Sequence, residues 1–590
     1  MGPHSSLLLL AEIVVVAVLI SADPPLTALH EPQKGSNPVL GVVPLSLNEV
    51  HEIASKLPDW PKGLQAKLDD LVKNLPKAAD GTPLKGKELL KQTGSKLFSK
   101  DGQDTSDLDE LAKIIAENKG KAEQDLKASE DEVYNKNKEA IDKAKEQGKS
   151  LGVKPLPEDA PLSIDQINNA LNLSEIFLEH DISRSVADTK KHLGIDEPGK
   201  SPKKRQAYYD SQYPDTIWSN GVYYNFDPSL GSNARNVINS AINFWAKNTC
   251  IQFKQVDPTN SSSYPVIMFI PGQGCYSPVG RQVGSQYQYV SIGSYCEYIA
   301  TAAHEIGHSL GLFHEQNRFD RGSSVFVDTT NIQSGHASEY QQQTTSTNYN
   351  YGKPYDYQGI MHYRQGVWAL NASAPVMYAM DPNYQMSMGW TQLPVFGDIV
   401  ELNMHYSCYD MCKNTSLVCQ YEGYPNPTTN CTTCQCPSGF GGKDCSQRQG
   451  ASGGANCGAT LSAFPDWQTL GVANTVGSGS YTTGALTNPA RCTWHITAPV
   501  GSKIQYMFTY VGFDNTNNAL CYESCYYGGV NVKGSGPSWK PEGMRVCCPY
   551  QFNVTMTTTA DRLIVQPWNL YRYTDFQLQY RIANAQTGAP

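Results

Sequence analysis

The stretch HEIGHSLGLFHEQNR, residues 304–318, sets three histidines and two glutamates around two glycines, in a chain of 590 residues with only 12 histidines. On a helix, His304 and His308 are separated by about 400° of rotation, so both imidazoles leave one face a turn apart. That spacing suits two ligands of one Zn²⁺ at roughly 2.0–2.1 Å. Glu305 follows the first ligand directly, where a carboxylate can hold a metal-activated water and accept its proton. Gly311 permits the backbone turn that ends the helix, so that the chain doubles back and offers His314 as a third ligand. Three protein ligands leave one position open for water, as in catalytic zinc sites. The competing reading is a helix with incidentally placed histidines. HExxH alone arises by chance, but adding the glycine and the third histidine makes chance rare.

These residues need a scaffold. NARNVINSAINFWAKNT (233–249) and YIATAAHEIGHSLGLF (298–313) carry apolar residues at helical spacing, the second ending at Gly311. GVYYNFD, PVIMFI and QYVSIG read as strands. Together they describe roughly 200 residues of mixed α+β structure with four cysteines, Cys250, Cys275, Cys296 and Cys408. Upstream, residues 23–205 are rich in lysine and glutamate, and between Pro61 and Ile176 their only aromatics are Phe98 and Tyr134. So few aromatics predict loose helices or partial disorder. The segment ends in SPKKRQAYYD (201–210), which reads as a processing site cut between Arg205 and Gln206; the bland alternative is a solvated charge cluster. Residues 23–205 would then be a propeptide.

Downstream, six cysteines fall within residues 412–445, a stretch too short for a core and so held by bridges. Residues 457–583 read as many short strands between Gly/Asn/Pro turns, the pattern of a β-sandwich. All sixteen cysteines lie from Cys250 onward, which points to disulfides made in an oxidising compartment. A zinc ribbon would want paired CxxC units, and only Cys431–Cys434 has that spacing. SLLLLAEIVVVAVLIS (6–21) has the length of a signal-peptide core and is short for a membrane span, so residues 1–22 read as a signal peptide and the protein as secreted. Sequons at Asn172, Asn260, Asn371, Asn414, Asn430 and Asn553 suit a secreted glycoprotein. A net charge of −9 argues against a nucleic-acid partner.

HEIGHSLGLFHE resembles the extended zinc motif of the metzincins, and Glu315 directly after His314 points to the astacin family. GIMHY (359–363) is similar to that family's Met-turn, with Gly359 where serine is more usual. The resemblance implies that Met361 forms an apolar floor under the zinc. It also implies that Tyr363 is a fifth, swinging ligand that donates a hydrogen bond to the oxyanion of the reaction. It covers about residues 206–410 and implies bridges Cys250–Cys408 and Cys275–Cys296, with substrate lying extended along an edge strand near GCYSPVGR. Residues 411–446 resemble an EGF-like module, implying pairs Cys412–Cys431, Cys419–Cys434 and Cys436–Cys445. Residues 457–583 resemble a CUB domain with Cys457–Cys492 as its first bridge; the pairing of Cys521, Cys525, Cys547 and Cys548 stays open. This module order is most similar to the secreted astacins of nematodes.

The proregion has no cysteine to block the metal. EIFLEHDI (175–182) resembles the family's aspartate latch, which implies Asp181 as an inhibitory zymogen ligand. His180 stands where the family favours glycine and is a rival ligand. After cleavage by a processing protease, Gln206 or Ala207 is expected to fold toward Glu315. Two functions follow. The first is a secreted zinc endopeptidase, with Glu305 as base, acting on extracellular matrix or cuticle proteins. The second is a catalytically silent adhesion or scaffold protein on the same architecture, which would show itself by a missing ligand or base.

Overall fold

The computed structural model describes residues 64–93, 105–148, 152–157, 160–193, 195, 214–257, 264–345, 347–479, 489–513, 516 and 519–583. The expected signal peptide, the Arg205–Gln206 processing site, Ala207 and the sequon at Asn260 lie outside the described residues.

The aromatic and β-branched runs of the middle third form a five-stranded sheet from β1 (Val222–Phe226), β2 (Phe253–Gln255), β3 (Val266–Ile270), β4 (Cys275–Tyr276) and β5 (Tyr287–Ile292), in the order β2-β1-β3-β5-β4. Neighbours are parallel except β4, which runs antiparallel to β5 at the edge. Val266, Ile267, Phe269 and Ile270 are buried on both faces of β3, as a central strand covered on two sides requires.

Eight helices of the described residues are labelled in chain order. Five precede the sheet: α1 (Leu64–Lys73), α2 (Gly86–Thr93), α3 (Thr105–Gly148), α4 (Ile164–Ala170) and α5 (Val186–His192). The others are α6 (Ser232–Asn248), α7 (Ile299–Ser309) and α8 (Phe396–His405). Helix α6 buries Ala234, Ile238, Ala241, Ile242 and Trp245, one stripe at helical spacing. Trp245 Nε1 donates to Ala303 O at 3.1 Å, fixing α6 against α7 and so fixing the helix that carries the first two histidines. Full burial of a side chain such as Ile238 contributes about 1.5–3 kcal/mol.

The described part of the aromatic-poor N-terminal segment is helical, as expected, but its helices are packed rather than loose. It is ordered against the rest of the molecule. Leu111, Ile115, Leu126 and Ile141 of α3 are buried, and Leu89, Leu90 and Leu111 join the same core as Trp218, Trp245 and Ile306. Composition misled because this segment needs no core of its own; aliphatic side chains suffice when the other face is supplied by the neighbouring unit. The interface is also ionic. Arg321 is fully buried and Nη2 donates to Glu130 Oε1 at 2.7 Å, while Glu130 Oε2 accepts the Val327 backbone N–H at 3.0 Å. Glu130→Ala would leave Arg321 buried and unpaired, a loss of about 3–5 kcal/mol. The expected result is a lower unfolding midpoint of the full chain and faster proteolysis within α3.

Residues 412–445 are held by Cys412–Cys431, Cys419–Cys434 and Cys436–Cys445. Beyond them, two antiparallel-rich sheets of six and four strands, running from Thr460 to Ile582, enclose one core that includes Trp494, Phe508 and Phe576. Cys457 pairs with Cys492. The open pairing resolves as Cys521–Cys548 and Cys525–Cys547. Cys548 is extended, so neighbouring side chains point to opposite sides and reach different partners. Cys250–Cys408 and Cys275–Cys296 complete eight bridges, with no free cysteine. Among the described residues, no helix is long and apolar enough to cross a membrane.

Candidate active site

Helix α7 presents His304 and His308 from one face, and the chain then turns at Gly311, whose φ is +111°. A Cβ there would sit 2.8 Å from His405 Nε2, so both the turn and the packing require glycine. The turn delivers His314, and each imidazole is oriented through Nδ1. His304 Nδ1 bonds Ile360 O at 2.8 Å, His308 Nδ1 bonds Leu312 O at 2.7 Å, and His314 Nδ1 bonds Glu179 Oε2 at 2.9 Å. Nδ1 bonds to carbonyl and carboxylate oxygens turn the Nε2 atoms inward, as in metal-ligating histidines.

The three Nε2 atoms converge on one carboxylate. Asp181 Oδ2 lies 3.2 Å from His304 Nε2 and 3.3 Å from His314 Nε2, and Oδ1 lies 3.7 Å from His308 Nε2. The ligand atoms of all four buried residues fall within 4.8 Å of one another. His308 Nε2, His314 Nε2 and Asp181 Oδ1 have no hydrogen-bond partner, the expected state of atoms meant for a metal. The charge balance also asks for a cation. Burial alone would depress His314, but Asp181 and Glu179 outweigh it and push its pKa up to about 10. Three imidazoles and a carboxylate form a donor set that suits tetrahedral zinc.

Glu305 is fully buried and both carboxylate oxygens are unpartnered. Burial, then the neighbouring Asp181 charge, holds its pKa well above the usual carboxylate range. Behind α7, the GIMHY segment supports the site through its backbone. Ile360 O orients His304, Met361 O accepts the Glu315 N–H at 2.9 Å, and Asp398 accepts the Ile360 N–H at 3.0 Å. A Cβ on Gly359 would approach Asp398 Oδ1 to 3.1 Å, a tight contact with the carboxylate that holds the Ile360 N–H.

Tyr363 stands beside the cluster with its hydroxyl engaged elsewhere. It donates to Glu179 O at 3.1 Å and bonds His180 Nδ1 at 2.6 Å. His180, weighed as a rival ligand, is outside the ligand group: its Nδ1 bonds the tyrosine and its Nε2 lies 3.5 Å from Asp181 Oδ2, with its ring 5.9 Å from those of His314 and Trp368. Glu179 and His180 adopt φ of +51° and +50°, left-handed values that cost a non-glycine residue roughly 1–2 kcal/mol each. The chain then pairs with the sheet edge: Ser277 N–H donates to Asp181 O at 3.0 Å and Ser183 N–H to Ser277 O at 3.1 Å. The pairing at Ile182 and Ser277 is parallel.

Two participants escaped the sequence reading. Glu179 orients His314, and Gln343 Nε2 donates to Glu179 Oε1 at 2.6 Å. No spacing rule connects residues 135 or 164 positions apart in the chain. Glu315 has its charge met by Arg318 at 2.8 Å and Lys353 at 3.0 Å. Burial raises its pKa, but these two cations hold it down to about 2.

A family model described as Astacin, a peptidase family, matches residues 210–407. The zinc metalloproteinase nas-31 of Caenorhabditis elegans is 33% identical over 426 residues, 71% of this chain and 65% of its own length. Zinc metalloproteinase nas-29 of the same organism is 32% identical over 391 residues, covering 66% of this chain and 69% of itself. Among solved structures, high choriolytic enzyme 1, a hatching enzyme zinc-protease from the medaka Oryzias latipes, matches at 26% identity with a TM-score of 0.30, over 35% of this chain and 99% of its own. With the ligand geometry in place and relatives matched over most of their length, the chain belongs to the astacin family of zinc metalloproteinases.

Proposed function

We propose that this protein is an extracellular zinc endopeptidase made as a zymogen, latched by its own residues 179–181. The observation that carries the reading is the convergence of three histidine Nε2 atoms on the Asp181 carboxylate. His304, His308 and His314 would hold zinc, which when bound would supply Lewis acidity to the scissile carbonyl and bring the pKa of water near neutrality. Glu305 accepts the proton of the attacking water and passes it to the leaving amine. Tyr363, whose hydroxyl is held by His180 and Glu179 in the latched chain, donates to the oxyanion once that segment leaves.

The latched segment lies where substrate is expected, paired with the sheet edge at Ser277. It runs parallel at Ile182 and Ser277, and the Asp181 carboxylate faces the histidines. Cleavage between Arg205 and Gln206 by a processing protease would separate it from residues 206–410. Residues 411–446 act as an EGF-like module and residues 457–583 as a CUB domain, localising the enzyme on extracellular matrix or cuticle proteins. Eight disulfides support export through an oxidising compartment. The scaffold alternative requires a missing ligand or base, and His304, Glu305, His308, His314 and Tyr363 are all in place. Peptide hydrolysis by the processed protein tests the reading. Chelation is expected to abolish it and added Zn²⁺ to restore it; hydrolysis indifferent to chelation would refute a metal mechanism.

A further inference from the structure

Two cavities meet at Trp390 and Thr391. One opens over Asp181, His304 and Tyr363. The other, of about 310 Å³, lies where the 210–407 unit, the disulfide-rich segment and the β-sandwich come together.

Arg545 stands in the wall of the second cavity and is 4% exposed. Its Nη1 donates to Ser524 O at 2.6 Å and Trp390 O at 3.1 Å, and its Nη2 to Gln358 Oε1 at 2.6 Å. A guanidinium carries five N–H protons. Two therefore remain, and Nε has no partner. Around the same cavity Trp390 Nε1 and Trp568 Nε1 are likewise unpartnered; among the fully buried acceptors of the described lining side chains only Gln392 Oε1 is, and the Glu542 carboxylate is a further acceptor in the wall. Water brings as many donors as acceptors, whereas an oxyanion brings acceptors alone, so the excess of donors favours an anion.

The charges agree. Arg491 lies in the same wall, and Lys533 is buried close by. Glu542 stands in the wall too, so the three cations face two carboxylates, Glu542 and Asp356, and both act on Arg545 only through space. Burial and then the neighbouring Arg491 charge pull the Arg545 pKa down to about 9, as for a cation short of a counter-charge.

We propose that this three-part junction is an oxyanion site, taking a sulfate, phosphate or carboxylate group between Arg491 and Arg545 beside the indole N–H groups of Trp390 and Trp568. The shared wall at Trp390 and Thr391 admits two sources, a free ion or an acidic group on a chain leaving the cleft. Either would tie together residues from three parts of the molecule. It would also give a buried cation that has no bonded counter-ion a charge-assisted pair.

Titration calorimetry of the full chain with sodium sulfate, at ionic strength balanced by chloride, tests the shared chemistry. Saturable binding is expected, weakened at least about tenfold by Arg491→Gln or Arg545→Gln. Arg491 is only half-buried, so its variant provides the reading if Arg545→Gln fails to fold. This arm needs no activity and runs equally on Glu305→Gln, so its failure is distinct from failure of the peptidase reading. The second arm compares hydrolysis of peptides differing by glutamate or glutamine in the residues flanking the cut. A KM advantage for glutamate that Arg491→Gln erases and sulfate competes away identifies the chain-borne source. Sulfate binding without that advantage identifies the free ion. Sulfate heat no greater than chloride, together with a KM ratio untouched by Arg491→Gln, overturns the site.

Discussion

Asp181→Ala in the unprocessed full chain is expected to yield peptidase activity without cleavage. The carboxylate is fully buried and lies 3.2–3.7 Å from three imidazole Nε2 atoms. Burial opposes its charge, yet the neighbouring histidines hold its pKa well below the ordinary carboxylate value, the sign of a net favourable interaction. Removing one partner of such a buried charge cluster costs about 3–5 kcal/mol. The closed-to-open ratio of the segment should fall more than about a hundredfold. Glu179 and His180 keep their bonds to His314 and Tyr363 in this variant, so some latency persists. The double variant Asp181→Ala/His180→Gly should release more, because it also frees the Tyr363 hydroxyl and removes a left-handed non-glycine residue. The measurement is hydrolysis of a quenched fluorescent peptide by chains shown by gel to be uncut. Latency equal to that of the parent would mean that the segment inhibits by bulk cover, with no part for the carboxylate.

Glu305→Gln in the processed protein should lower kcat by about 10²–10⁴-fold with little change in KM. The amide matches the carboxylate in size and cannot accept the proton. Because neither carboxylate oxygen bonds any protein group, the exchange breaks no protein hydrogen bond and leaves the fold intact. An unfolding midpoint equal to the parent's, with bound zinc at one equivalent, would establish that the lost rate is chemical. Retention of kcat within threefold would assign the base to another group.

Legibility of this site followed from where its parts lie in the chain. His304, Glu305, His308, Gly311 and His314 fall within eleven residues, so helix geometry and one glycine turn relate them before any tertiary contact exists. The strands were readable for the same reason, since β1, β3 and β5 are aromatic or β-branched runs bounded by polar or glycine-containing stretches. The helices of the N-terminal segment were legible but their tight docking was not, because the segment's stability is borrowed. Leu111 and Ile141 find their partners on other elements, and Glu130 meets Arg321 from 191 residues away.

Local covalent spacing therefore determines the metal-binding chemistry and the identity of the base, because both are set by helix periodicity and one backbone turn. Tertiary folding decides what controls that chemistry. Glu179, His180 and Asp181 are consecutive in the chain, yet each reaches a different target, His314, Tyr363 and the convergent Nε2 atoms, only because the segment docks on the edge at Ser277 in left-handed backbone. The oxyanion junction, too, exists only once three parts of the molecule pack and bury Arg545 with no carboxylate bonded to it. A charge's environment is a property of what surrounds it in space, and sequence distance does not record that.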